Sequence, residues 1–180
     1  MKFLLLLFLT ISCNTKTIPD SKPVVENVYT GSFYKVESTL NWIKEAVRIT
    51  DCVTVQKDFH AEILSVQNFE HYEGENQAIV DSLLSEKVAV IGSYSKKFTK
   101  ARAYRDVGTN KIWLNRSKIF KADKDLINTN IHERLHVLGY KHKGNSRNKY
   151  NNINSVPYKV GSLSEKYYKR CLWQKILAIF

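Results

Sequence analysis

His132-Glu133-Arg134-Leu135-His136-Val137-Leu138-Gly139-Tyr140-Lys141-His142 is the stretch on which the reading of this chain turns. Its pattern is H-E-x-x-H-x-x-G-x-x-H. On a helix, His132 and His136 share one face, because residues i and i+4 lie one turn apart. Both imidazoles can therefore address one metal ion. Glu133 is offset around the helix, free to act on a water without ligating. Gly139 can adopt the left-handed conformation that ends a helix, so the chain turns and His142 returns as a third ligand. Three histidines and an open position suit a catalytic zinc ion, whereas a structural ion takes a fourth protein ligand. A helix with exposed histidines and a glycine cap is the bland alternative. It leaves unexplained why three of the chain's five histidines fall in this one run.

The flanks support a helix. Asp123 can cap it, and Leu126, Ile127, Ile131, Leu135 and Leu138 recur at helical spacing up to Gly139.

Working outward, residues 24–36 are β-rich around Gly31 and predict one or two short strands. Ser38 or Thr39 can cap a helix reaching about Ile49, with Leu40, Ile43 and Val47 on its apolar face. Cys52, Val53 and Val55 then read as a buried strand. Residues 58–75 give no consistent period. His60 and His71 lie there without partners at ligand spacing, and neither is assigned to the metal. A helix follows over 76–85. Residues 88–91 form an apolar run that fits a central strand covered on both faces. Residues 101–107, the turn Gly108-Thr109-Asn110 and the run Ile112-Trp113-Leu114 predict a β-hairpin. After His142 comes a polar loop to Asn154. Ser162-Leu163-Ser164-Glu165 reads as a capping box opening a last helix, whose apolar end at 176–180 can dock on the core.

The net charge of +11 is concentrated from Lys96 onward. Such a field could attract acidic substrates, anionic lipid or nucleic acid. A solvated basic surface is the plainer reading, and no recognisable nucleic-acid-binding motif accompanies the charge, so no specific nucleic acid is expected.

The N-terminus reads as an address. Met1-Lys2 and the apolar run 3–9 are too short to span a bilayer permanently, and they lead to Thr10-Ile11-Ser12-Cys13. This resembles a bacterial lipoprotein signal, with Thr10 departing from the usual Leu. It implies a signal peptide over 1–12, a lipidated Cys13 and tether over 13–23, and one catalytic domain over 24–180. The mature protein is then exported and membrane-anchored at the periplasm or cell surface, or secreted if Cys13 is left free. With Cys13 set aside, Cys52 and Cys171 remain, as a disulfide or as two buried thiols.

The extended histidine pattern resembles the metzincin clan of zinc endopeptidases at every fixed position. The resemblance implies an α+β, metzincin-like fold with a mixed, mostly parallel twisted sheet, an active-site helix and a C-terminal helix. It implies one zinc ion on His132, His136 and His142, peptide hydrolysis by a zinc-bound water with Glu133 as general base, and a protein or peptide substrate. By the same resemblance, residues 101–107 are a candidate rim strand pairing with extended substrate; an ordinary edge hairpin is the equal alternative. Metzincins carry a methionine turn beneath the zinc, yet Met1 is the only methionine here. Residues 154–158 stand in that place, with Pro157 where the sulfur residue would be. Tyr158 is a candidate to contact the metal or the tetrahedral intermediate, against a buried structural role. A gluzincin arrangement with Glu165 as third ligand is the rival within zinc peptidases. From another class, the alternative is a catalytically degenerate surface lipoprotein that binds an extracellular partner.

Overall fold

The computed structural model describes residues 29–30, 33–142 and 152–177. In chain order the elements are β1 (Tyr29–Thr30), β2 (Tyr34–Val36), α1 (Asn41–Thr54), α2 (Lys57–Leu64), α3 (Asn76–Leu84), β3 (Ala89–Tyr94), β4 (Ala103–Arg105), β5 (Lys111–Asn115), α4 (Lys124–Val137), α5 (Val156–Ser164), a 3-10 turn (Glu165–Tyr167) and α6 (Tyr168–Leu177). The class is α+β, as the sequence predicts. The signal, Cys13, the tether and most of the polar loop lie outside the described residues, as do the side chains of 175–180.

The sheet has five strands in the order β1-β2-β3-β5-β4. Strands β2, β3 and β5 run parallel, and both edge strands are antiparallel to their neighbours. The sheet is thus mixed, with three parallel central strands and an antiparallel strand at each edge. The hairpin behind β4 and the very short β1 are the cause. Register places Val36, Ile91 and Ile112 side by side, all fully buried. Val90 is only half-buried, so β3 has one fully covered face where the apolar run predicted two. The strand also continues past Gly92 to Tyr94.

The expected hairpin forms. Ala103 pairs with Leu114 and Arg105 with Ile112, and Gly108 adopts the positive φ that the turn requires.

Two local readings are corrected. Cys52 and Val53 belong to α1, not to a strand, and Val55 is its C-cap. The hydroxyls of Thr50 and Thr54 donate back to the Ala46 and Thr50 carbonyls at 2.7 and 2.8 Å. These β-branched side chains therefore bury their polar atoms inside the helix. The helix also starts without a side-chain cap: Ser38 Oγ accepts from Leu40 N, outside the first turn. The second correction concerns Ser162 to Glu165, which close α5 instead of opening the last helix. Ser164 Oγ donates to the Gly161 carbonyl at 2.6 Å. The true start of α5 lies at Val156, where Pro157 supplies the fixed φ of a first helical turn. The first part of the 58–75 stretch, which showed no consistent period, belongs to α2 (Lys57–Leu64).

Helix α4 is the centre of the fold. It packs on α5, α1 and β4. Gly161 of α5 faces Asn128 of α4, and a Cβ there would crowd the Asn128 side-chain oxygen and stand 3.1 Å from its carbonyl oxygen, so glycine lets the two helices approach closely. Cys52 and Cys171 form a disulfide with Cα atoms 5.8 Å apart, joining α1 to α6.

Candidate metal centre

Asp123 Oδ1 accepts from Leu126 N at 3.0 Å and caps α4, as its position predicts. The buried face of α4 then carries Leu126, Ile127, Asn130, Ile131, Arg134 and Leu135. Arg134 is fully buried, its guanidinium 4.5 Å from the Phe33 ring centroid and 5.4 Å from that of Tyr34. Its Nη2 donates to the carbonyls of Ser85 and Lys87. This clasp fixes the helix on the sheet and turns His132, Glu133 and His136 the other way.

Helix α4 ends as the sequence requires. Gly139 has φ +107°, and the chain reverses to bring back His142. Lys87 Nζ and Arg105 Nη1 donate to the carbonyls of Val137 and His136, both at 2.7 Å, and satisfy the helix end.

The three imidazoles converge. The Nε2 atoms of His136 and His142 lie 3.1 Å apart, and those of His142 and His132 lie 3.4 Å apart. The other sides of the rings are held. His136 Nδ1 stands 2.8 Å from the Tyr140 carbonyl, which can only accept, so Nδ1 carries the proton. His142 Nδ1 stands 2.8 Å from Ser155 Oγ, whose own hydrogen goes to the Asn152 carbonyl at 2.7 Å. That nitrogen too must be the donor. The His132 ring bonds the Pro157 backbone carbonyl. Burial, with the neighbouring rings, lowers His132 to about 3 and His142 to about 4; burial also lowers His136. Neutral rings so oriented aim lone pairs at one point.

Glu133 and Tyr158 border the same point. Burial lifts the Glu133 carboxyl to about 7, with the Arg105 charge pulling it down. Tyr158, in the first turn of α5, lies 4.5 Å from the His132 ring centroid and stacks on His142 at 4.7 Å. Burial and the Glu133 charge raise its hydroxyl, which therefore stays protonated.

A cleft of about 420 Å³ opens here, lined by His132, Glu133, Tyr158, Asn128, Ser162 and Ala103 of the edge strand. A second hollow of about 500 Å³ is lined by His71, Tyr72, Tyr140 and His142. A larger hollow of about 650 Å³ beside Glu62 and Lys166 contains none of these groups, so size alone does not locate the chemistry.

The structure thus brings His132, His136 and His142 together as a group able to hold a metal ion, with Glu133 and Tyr158 beside it. Glu165 lines the same cleft but is not grouped with the three imidazoles. It accepts from Asn128 Nδ2 and pairs with Lys124 Nζ at 3.4 Å, which removes it as a third ligand. His60 Nε2 bonds the Thr54 carbonyl, and His71 is exposed with φ 60°. Sequence reasoning missed Arg105, Ser155 and Arg134. Ser155 left a signal in the 154–158 turn, though no role at His142 was read from it, and Arg134 left one as a charged residue in the buried register of α4.

Compared with protein-family models, curated proteins and solved structures, the chain matches none.

Proposed function

We propose that this chain is a zinc-dependent metalloendopeptidase of metzincin-like organisation. The observation that carries the reading is the convergence of three imidazole Nε2 atoms beside a partly buried glutamate in an open cleft. The donor set fits zinc. Imidazole is a common zinc ligand, and tetrahedral coordination at about 2.0–2.1 Å separates ligand nitrogens by about 3.3 Å. The observed 3.1 and 3.4 Å bracket that value. His132, His136 and His142 would hold the ion, which when bound polarises a scissile carbonyl and lowers the pKa of water.

The protein's own groups do the rest. Glu133 accepts a proton from the attacking water and passes it to the leaving amine, a task suited to a carboxyl raised toward neutrality. In this reading the Tyr158 hydroxyl donates to the developing oxyanion, which the packing of its ring on His132 and His142 supports. Arg105 holds the end of α4 through the His136 carbonyl and sets the charge facing Glu133. Strand β4 is one of the two antiparallel edge strands of the sheet, and its Ala103 lines the cleft. An extended peptide can add to that free edge through main-chain hydrogen bonds.

Export and anchoring through Cys13 belong to the same proposal. The Cys52–Cys171 bond supports an oxidising compartment.

The test is cleavage of a quenched peptide library by purified protein, with and without chelator, against Glu133→Gln. Chelator-sensitive cleavage lost in the variant is the expected result. Cleavage that persists in both cases would remove the proposal.

A further inference from the structure

We propose that the platform formed by residues 95–102 and 116–121 docks on an anionic lipid bilayer. Strands β3 and β5 run parallel, so both segments leave the same end of the sheet. They are tied together there. Arg116 N donates to the Tyr94 carbonyl at 2.8 Å, and the Ser95 and Ser117 hydroxyls share a hydrogen bond of 2.6 Å. Asn115, fully buried, completes the tie. Its amide nitrogen donates to the carbonyls of Lys96 and Ala101, and its oxygen accepts from the backbone N–H groups of Lys96 and Ser117.

The platform presents Lys96, Lys97, Lys100, Arg116 and Lys118, all exposed and none paired with an acid among the described residues. Two phenylalanines project among them. Phe98 is 100% exposed and Phe120 72% exposed, although its neighbour Ile119 is buried in the core. One stray exposed ring needs no explanation. Two rings set among unpaired cations, with no carboxylate in either segment, are the pairing that seats a peripheral protein at a bilayer. The rings enter the headgroup–acyl boundary while the cations meet lipid phosphates. Duplex nucleic acid would satisfy the cations but offers no apolar medium for the rings. Arg102, the last residue of the first platform segment, and Ala103 after it line the cleft, so docking would hold the cleft mouth at the membrane surface. None of the five cations or the two rings touches the metal centre, so the inference stands apart from the enzymatic reading.

The experiment is vesicle co-sedimentation of the full chain carrying Cys13→Ser, which removes any lipid anchor. Vesicles are phosphatidylcholine alone or phosphatidylcholine mixed with phosphatidylglycerol. The parent should prefer the mixed vesicles. Lys96→Ala/Lys97→Ala should weaken that binding about 25-fold, at about fivefold per cation. Phe98→Ala/Phe120→Ala should weaken it about tenfold or more while leaving every charge in place. Both variants alter exposed side chains, and an unchanged far-ultraviolet circular dichroism spectrum confirms folding. Equal binding to the two vesicle types would overturn the proposal, as would an unaffected phenylalanine variant. Tighter binding to a single-stranded oligonucleotide than to mixed vesicles, lost in the phenylalanine variant, would overturn it in favour of base stacking.

Discussion

The Nε2 atoms of His136 and His142 face each other at 3.1 Å with no proton between them. Tyr140 and Ser155 hold the ring protons on the opposite nitrogens. A pair of lone pairs at that distance repels, and His132 adds a third at 3.4 Å. A shared cation turns this repulsion into coordination.

Zinc should therefore bind with one-to-one stoichiometry and stabilise the fold. At a hundredfold excess over Kd, binding contributes about 2.7 kcal/mol, or roughly 5–10 °C in Tm for a domain of this size. Calorimetric titration of chelated protein and a thermal melt check this. His142→Ala should lose most of the shift.

Glu133→Gln should keep the metal and lose about 10²–10⁴-fold in kcat. The variant preserves shape and removes the base. Metal content by elemental analysis, read beside peptide turnover, separates the two effects.

Tyr158→Phe keeps the ring that stacks on His142 and removes only the hydroxyl. It should lower kcat about 10²-fold with KM and Tm almost unchanged. Unchanged turnover would assign Tyr158 a packing role alone.

Ser155→Ala takes away the acceptor that orients His142 Nδ1. Metal affinity should fall about 10–100-fold, the usual cost of losing an outer-sphere partner. Competition with a fluorescent chelator measures it.

The metal-free protein should lose stability in acid. The unfolded histidines take protons near 6.5, whereas the folded His142 and His132 resist until about 4 and 3. Across that window the unfolded chain holds more protons, so stability rises with pH. Glu133, raised from 4.5 to about 7, opposes this between those two values, because its folded form holds the proton longer. Below 4.5 the opposition ends while both rings still resist protonation until His142 accepts at about 4, so these groups predict the steepest loss between about pH 4.5 and 4, with a shallower loss continuing to about 3. Urea titrations at a series of pH values test the slope, and a flat profile there would contradict it.

What the sequence made legible was local. Asp123 and the apolar spacing of α4 lie within a few turns of the ligands, so helix, cap and histidines could be read together. Gly108 and Asn110 marked the hairpin for the same reason. The failures were also local patterns, decided by distant partners. Val53 and Thr54 have strand-like side chains, but Asn130 Nδ2 of α4 donates to Thr50 Oγ1 at 3.2 Å and helps hold that segment as a buried helix. Ser162 to Glu165 has capping chemistry, but Asn128 and Lys124 take the glutamate. In the site, Arg105 reaches the His136 carbonyl across 31 residues, and no spacing rule connects them.

The bond between Cys52 and Cys171 has a topological effect. Those residues are 119 apart in sequence, and one covalent ring encloses everything between them, including all three clustered histidines. A single nick anywhere inside that ring leaves both pieces fastened to one another. A molecule clipped once, by itself or by a neighbour, would run as one species on a non-reducing gel and as two after thiol treatment. The imidazole cluster can thus outlast a cut that would otherwise scatter its parts.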